Sequence, residues 1–230
     1  MRTTTGLLIA FLCTPVLASG GDVAGKVLFK GTAPKQARIF MTGDPRCATL
    51  HKDPVYAEDV IVNPNGTLRN VIISVKSGLV SKTFTAPATH ATLDQRGCRY
   101  EPHVLAMMTG QSLEVINDDP TLHNVHTLST VNPAFNVAQP KQGMKLDKTF
   151  TKAEIFKVKC EVHPWMAAYI GVFDSPYFCV TGEDGSFVLK GLPPGNYVLE
   201  AWHERYGTRT ISVKVPARGT TTMNVEYAIP

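Results

Sequence analysis

The chain has 230 residues, of which 43% are hydrophobic and 18% are charged, and its formal net charge at pH 7 is +4. This ordinary balance excludes intrinsic disorder and a collagen-like chain, and the length allows one large domain or two small ones. Five cysteines in a chain of this length exclude a disulfide-dense framework. The small net charge, without any block of Lys and Arg, argues against nucleic acid as a partner.

The N-terminal stretch of the chain resembles an export signal. Arg2 gives a positive start, residues 6–12 are an apolar run, and Val16–Ala18 have the small-residue pattern of a cleavage site. The run is shorter than the ~18 apolar residues that a membrane-spanning helix needs, and no later stretch reaches this length. We therefore expect a cleaved signal peptide at residues 1–18, no membrane span, and a periplasmic or secreted protein.

Strand patterns dominate the rest of the chain, and helical periodicity is nearly absent. Alternating or continuous apolar residues predict strands near 23–29, 71–75, 113–116 and 155–160. Turns rich in Gly and Pro separate a series of hairpins after residue 183. Several short strands at such spacing predict an all-β protein built from β-sandwiches.

The C-terminal stretch Asp184–Tyr197 resembles the carboxypeptidase regulatory-like family, a small transthyretin-like β-sandwich. That family opens with a Gly-x-Val-x-Gly-x-Val strand, and Gly21–Val27 fits this pattern at the other end of the chain. We infer a discontinuous sandwich from residues 20–86 and 177–230, with a second domain, residues 87–176, inserted between them. Two independent β modules at the two ends of the chain are the alternative.

Four candidate metal ligands lie in two stretches of the chain, and they are His123, Cys160, His163 and Met166. A thiolate, two imidazoles and a thioether suit copper that cycles between Cu(I) and Cu(II), because the soft sulfurs satisfy Cu(I) and the imidazoles satisfy both states. A trigonal plane of two His and one Cys with a long axial Met is the arrangement of blue-copper electron-transfer sites.

The strand pattern allows these two stretches to meet. Phe156, Val158 and Cys160 lie on one face of the predicted strand, so Cys160 points into the sandwich. The short loop after Cys160 can return the next two ligands to the same metal. His123 has to arrive from another loop, and it follows the predicted strand that ends at Asn117.

Residues 88–176 resemble a cupredoxin, and among the plastocyanin and azurin relatives they resemble amicyanin most. The resemblance rests on Tyr100–Pro102 before a strand, a turn at Gly110 and the His-Asn-Val-His run at His123–His126. It also rests on the short Cys-x₂-His-x₂-Met spacing of Cys160–Met166.

The resemblance implies a Greek-key β-sandwich that holds one copper ion between His123, Cys160, His163 and Met166. It also implies a supporting role for Asn124, whose hydrogen bonds would tie the two ligand loops together and keep the cavity rigid.

Two further cysteines lie close to histidines in the sequence, Cys47 before His51 and Cys98 before His103. For an exported protein we favour a disulfide between Cys47 and Cys98, which would tie the terminal sandwich to the inserted domain. A second metal site, or an additional copper ligand with His103 as the candidate, stays open.

The favoured function is an exported type 1 (blue) copper protein that carries single electrons between redox partners. We do not expect an enzyme, because no acid/base pair or nucleophile set accompanies the ligands. His163, flanked by Pro164 and Trp165, is expected near the surface with an apolar rim, and a redox protein is expected to dock there.

Three alternatives remain at this point. The same ligands could serve a copper-binding chaperone or storage protein. The chain could be an extracellular carbohydrate- or protein-interaction module with a vestigial metal site. It could also be a copper enzyme with an open coordination position.

Overall fold

The structure is a computed structural model that describes residues 20–81 and 83–228. The predicted signal peptide at residues 1–18 lies outside the described residues. Among the described residues there is one short helix, α1 (Pro45–Thr49). The strands are β1 (Gly21–Lys30), β2 (Arg38–Ile39), β3 (Val55–Tyr56), β4 (Ile72–Ser77), β5 (Ala91–Arg96), β6 (Arg99–Glu101), β7 (Val104–Met108), β8 (Ser112–Asn117), β9 (His123–Thr127), β10 (Asn136–Gln139), β11 (Lys145–Thr149), β12 (Glu154–Lys159), β13 (Ala167–Phe173), β14 (Phe178–Val180), β15 (Ser186–Leu192), β16 (Gly195–His203), β17 (Gly207–Val215), β18 (Thr220–Thr222) and β19 (Val225–Ala228).

Two sheets combine strands from both ends of the chain. In the first, β1 lies between β15 and β18 and also pairs in parallel with β19; the second has the order β14-β4-β16-β17. Alternate apolar residues such as Val23, Ile73 and Leu189 are buried in one core that these sheets share. Gly25 is required in β1, because a Cβ there would lie 1.5 Å from the carbonyl oxygen of Met223.

Two further sheets are formed by residues 91–173. Their orders are β10-β9-β12-β13-β7 and β11-β8-β5-β6. Phe156 and Val158 of β12 are buried, and the intervening Lys157 and Lys159 are partly exposed, as the period-2 pattern predicts. The inner faces of the two sheets form a second core, separate from the first, which includes Leu93 and Cys160.

A short segment, residues 38–56, covers one end of this second sandwich, and we refer to it as the cap. It consists of β2, α1 and β3, with β2 and β3 paired to each other. Asp44 is the N-cap of α1, and its side chain accepts a hydrogen bond from the backbone N–H of Arg46. Met41 and Cys47 of the cap pack with Cys98, which lies between β5 and β6.

The prediction of an all-β fold is confirmed, and the strands predicted near 71–75, 113–116 and 155–160 correspond to β4, β8 and β12. The predicted domain limits, 20–86 with 177–230 and 87–176, stay a prediction. Within the described part of the chain, we find no helix of the length and apolar character that a membrane crossing requires.

Candidate metal centre

Three of the predicted ligands meet inside the sandwich of residues 91–173. Nδ1 of His123 lies 3.0 Å from Nδ1 of His163, and Sγ of Cys160 lies 3.8 Å from the same His163 nitrogen. All three ligand atoms lie within 4.8 Å of one another. The exposed fractions of His123, Cys160 and His163 are 0%, 2% and 1%, so the cluster is closed to solvent.

Strand pairing brings the two ligand-bearing stretches together. His123 is the first residue of β9 and Cys160 follows β12, and these two strands pair antiparallel. The loop after Cys160 is closed by two backbone hydrogen bonds: Met166 donates to the carbonyl of His163 at 2.9 Å, and Cys160 donates to the carbonyl of Met166 at 3.0 Å. This tight loop returns His163 to the side of Cys160.

Met166, the fourth predicted ligand, is buried. Its exposed fraction is 1%, and it belongs to the same apolar core as Cys160. Its backbone is hydrogen-bonded to Cys160 and to His163, and its role as a ligand stays a prediction.

A carboxylate holds the far nitrogen of each histidine. Nε2 of His123 lies 2.9 Å from Oδ2 of Asp119, and Nε2 of His163 lies 3.0 Å from Oδ2 of Asp44. Asp119 also accepts hydrogen bonds from the backbone N–H groups of Gly97 and Cys98, at 2.8 and 2.7 Å. Such carboxylate–histidine pairs orient imidazoles that bind a metal through their other nitrogen.

This arrangement fits a bound cation. When Nε2 of a neutral imidazole carries the proton that it donates to a carboxylate, Nδ1 presents a lone pair. The two Nδ1 atoms of His123 and His163 face each other at 3.0 Å, so two lone pairs would repel unless a proton or a metal ion lies between them. Two imidazole nitrogens and a thiolate sulfur form a donor set that can bind a transition-metal ion.

The ionisation of the cluster also favours metal binding. Burial raises the pKa of the Cys160 thiol, but hydrogen bonds from His123, His163 and nearby backbone amides outweigh it and lower the pKa to about 5. Burial lowers the pKa of His123, yet its bonds to Asp119 and Cys160 leave that pKa above the ordinary value. The cluster therefore holds a thiolate, which is the form of cysteine that binds a metal.

The expectation that His163 lies near the surface is wrong. Its exposed fraction is 1%, because Asp44 of the cap accepts from Nε2 and Sγ of Cys47 lies 3.5 Å from the same atom. Trp165 covers it from another side, with ring centroids 5.1 Å apart. Pro164 is exposed, and Trp165 is partly exposed.

Asn124 links the loop before β9 to the loop after β12. Its side-chain oxygen accepts a hydrogen bond from the backbone N–H of Glu161 at 2.5 Å, next to Cys160. Its side-chain amide donates to Asn136, and its carbonyl accepts from the hydroxyl of Tyr100 at 2.6 Å. These bonds hold the start of β9 against the end of β12.

The structure contains a disulfide between Cys47 and Cys98, with 5.6 Å between the Cα atoms. It joins the cap to the turn between β5 and β6. His103, the candidate for an additional copper ligand, is not part of the cluster, because its Nε2 pairs with Glu204. Nε2 of His51 lies 2.7 Å from the carbonyl oxygen of Gly97.

Sequence reasoning missed both carboxylates. Asp119 lies four residues before His123 in the turn after β8, and this short spacing next to a predicted ligand was the available signal. Asp44 lies 119 positions from His163 in a segment without strand or helix periodicity, and no local pattern pointed to it.

Comparison with known protein families identifies the C-terminal part of the chain. Residues 167–228 match the model of the carboxypeptidase regulatory-like domain. This match agrees with the C-terminal resemblance stated from the sequence. The match begins in β13, before the predicted limit at residue 177. A comparison with curated protein sequences found no match.

Solved structures that resemble part of the chain include cupredoxins. A purple cupredoxin from Nitrosopumilus maritimus is 22% identical with a TM-score of 0.32, and the match covers 36% of this chain and 98% of that one. A variant of amicyanin in its Cu(I) form is 24% identical with a TM-score of 0.33, covering 44% and 97%. A copper-containing nitrite reductase from Thermus scotoductus is 22% identical with a TM-score of 0.34, but the match covers 42% of this chain and only 25% of the reductase.

Proposed function

We propose that this chain is an exported type 1 copper protein that carries single electrons between redox partners. The observation that carries the proposal is the convergence of Nδ1 of His123, Nδ1 of His163 and Sγ of Cys160 within 4.8 Å, in a site closed to solvent. In this proposal the ligands are these three residues with Met166, and copper in its Cu(I) and Cu(II) states supplies the one-electron chemistry.

The surrounding residues support this role because they restrict movement of the ligands. Asp119 and Asp44 hold the two imidazoles, and Asn124 holds the ligand loops together. An electron carrier works best when its ligands move little between oxidation states, and ligands braced from behind meet this requirement. The buried position of the cluster also keeps water away from the thiolate of Cys160.

The same geometry favours an electron carrier over the alternatives. A copper enzyme needs an open position for its substrate, whereas the exposed fractions of His123, Cys160, His163 and Met166 are all 2% or less. A copper chaperone has to release its ion readily, which a closed and braced site opposes. A vestigial site would not retain a complete donor set with a carboxylate behind each imidazole.

We place the protein in the periplasm or outside the cell, and the disulfide between Cys47 and Cys98 supports an oxidising compartment. We propose that a redox protein docks on the exposed surface around Pro164 and Trp165. His163 lies behind this surface, so electrons would pass through Trp165 or the cap instead of leaving from an exposed imidazole edge.

The test of the proposed function is the visible spectrum of the copper-loaded protein and of a matched pair of variants. Cys160→Ser removes the thiolate and should abolish the intense visible band that sulfur-to-copper charge transfer produces. Cys179→Ser removes the free cysteine of β14, which belongs to the other core, and should leave the band unchanged. An intense band that survives in Cys160→Ser would overturn the ligand assignment.

A further inference from the structure

A disulfide lies directly against the outer side of a proposed copper ligand. Sγ of Cys47 is 3.5 Å from Nε2 of His163, the ring nitrogen that faces away from Cys160. Cys47 and Cys98 are both fully buried. The ligand atoms of Cys47, Cys98 and His163 lie within 4.8 Å of one another, which makes this a second cluster of metal-binding atoms on the far side of the same imidazole.

Each cysteine is held in place by contacts that do not depend on the sulfur–sulfur bond. Cys47 lies in α1, whose first turn is capped by Asp44. The backbone N–H of Cys98 donates to Asp119 at 2.7 Å, and its carbonyl accepts from the indole N–H of Trp165 at 3.1 Å. Both sulfurs would therefore stay near His163 after the disulfide is opened, and a small side-chain rotation would separate them enough to bind one ion.

We infer that the reduced pair Cys47 and Cys98, together with Nε2 of His163, forms a second binding site for a soft metal ion, with Cu(I) as its occupant. Two thiolates and an imidazole suit Cu(I), which prefers sulfur ligands and low coordination numbers. The inference rests on the proposed function only in that the two sites share His163, which would bind one ion through each ring nitrogen.

The chemistry balances with a dithiol as reductant. Thiol–disulfide exchange transfers two electrons to the bond between Cys47 and Cys98, giving two thiols, while the reductant becomes a disulfide. Binding of Cu(I) then releases the two thiol protons and the proton on Nε2 of His163. The imidazole of His163 then bridges the two ions as an imidazolate, and its proton passes to solvent, because the carboxylate of Asp44, 3.0 Å from that nitrogen, is too weak a base to keep it. The protein would take up a second ion only under reducing conditions.

The experiment measures how many Cu(I) ions the full chain binds in competition with a chromophoric Cu(I) chelator, without oxygen. The disulfide form should bind one ion. After treatment with dithiothreitol and its removal, a thiol assay should show two additional thiols, and the protein should bind two ions. X-ray absorption of the two-ion form should show a larger number of sulfur ligands per copper than the one-ion form. A reduced protein that still binds one ion overturns the inference.

Matched variants separate this inference from the proposed function. Cys47→Ser with Cys98→Ser should bind one ion under both conditions and keep the visible band of its Cu(II) form. Cys160→Ser should lose the first site but still gain one ion on reduction. An absent first site in the disulfide form of the unmodified chain contradicts the proposed function, whereas an absent gain on reduction contradicts only the second site.

Two controls exclude other sources of the second ion. Cys179→Ser should still gain one ion on reduction, because Cys179 lies in the other core. The reduced protein should also keep its far-ultraviolet circular dichroism. A gain that accompanies the loss of this signal comes from an unfolded chain and counts against the inference.

Discussion

Two aspartates behind the histidines are the least conventional residues of the candidate centre. Asp119 accepts from His123 and from the amides of Gly97 and Cys98, and Asp44 accepts from His163 while it caps α1. Each carboxylate therefore orients one imidazole of the cluster and holds a neighbouring element at the same time.

We predict that Asp119→Asn weakens copper binding by about 10–100-fold, because the imidazole of His123 loses the acceptor that fixes its orientation. Chelator competition measures the effect. Asp118→Asn is the matched control, since the neighbouring Asp118 pairs with Arg96 and makes no contact with a ligand. Equal affinities in the two variants would show that Asp119 does not support the site.

The three residues that converge could be singled out in the sequence, whereas the carboxylates behind the two imidazoles could not. His123, Cys160 and His163 have a characteristic order and spacing, and the alternation along β12 already directed Cys160 inward. The carboxylate of Asp44 reaches His163 only through the folding of the cap, which connects positions far apart in the chain.

At the scale of the elements, one carboxylate organises the loop between β9 and β10. Glu154, the first residue of β12, accepts from the hydroxyl of Ser129 at 2.5 Å and from the backbone N–H groups of Thr130, Val131 and Asn132 at 2.7, 3.0 and 3.2 Å. Burial raises the pKa of Glu154, but these hydrogen bonds outweigh it and lower the pKa to about 2.

A carboxyl group whose pKa is lower in the folded state than in the unfolded state stabilises the fold at pH values above its ordinary pKa. This contribution is lost as the pH falls to the pKa of the folded state. We predict that Glu154→Gln lowers the free energy of unfolding at pH 7 by about 1–2 kcal/mol, a figure reduced for solvent screening. The difference in unfolding free energy between the variant and the unmodified chain should shrink below pH 4.5 and vanish near pH 2. The reason is that the pKa of Glu154 is about 2 in the folded chain and 4.5 for a free glutamate side chain.

Urea unfolding of the metal-free proteins at several pH values measures this difference. Glu183→Gln, which changes an exposed side chain, controls for the loss of one charge. A Glu154→Gln effect of the same size at pH 3 and pH 7 would contradict the assigned role of the carboxylate.

The strands were the predictable elements, and the cap was not. β8 alternates partly exposed and buried residues over all six positions and β12 over its last five, which is a clear period-2 signal. In the cap, α1 has five residues and β2 and β3 have two each, too few for any periodicity to appear. The predicted surface position of His163 was wrong for this reason, since the cap is what buries it.

At the scale of the whole molecule, two separate cores meet through a small number of contacts. Tyr169 of β13 and Trp202 of β16 have ring centroids 5.1 Å apart, and His103 pairs with Glu204 nearby. Most strands of the two cores pair within their own sheets. A destabilising substitution in one core should therefore affect the unfolding of that core more than that of the other.

We predict that Leu93→Ala and Leu189→Ala each cost about 2–5 kcal/mol of stability, because both replace a buried leucine by a cavity. Leu93 lies in the core with Cys160, so its replacement should make the visible band of the copper form disappear at lower urea concentration. Leu189 lies in the other core, so its replacement should move the circular dichroism transition to lower urea concentration. The visible band should then persist to higher urea concentration than it does in Leu93→Ala. Equal shifts of the band in both variants would show that the cores unfold as one unit.

The overall arrangement was predictable in kind but not in detail. The Gly-x-Val pattern at Gly21–Val27 and the hairpins after residue 183 pointed to strands that pair across the length of the chain, and β1 does pair with β15 and β19. The sequence could not show that the cap covers the cluster of His123, Cys160 and His163, because that contact depends on the packing of Met41, Cys47 and Trp165.

We propose that one imidazole from β9 and a thiolate and imidazole from the loop after β12 bind a single copper ion. The combined visible and electron paramagnetic resonance spectrum of the Cu(II)-loaded protein tests it most directly. We expect one copper per chain, an intense thiolate-to-copper band and the narrow copper hyperfine splitting of a covalent Cu–S bond. A weakly coloured protein with the wide hyperfine splitting of nitrogen and oxygen ligands alone would contradict the account.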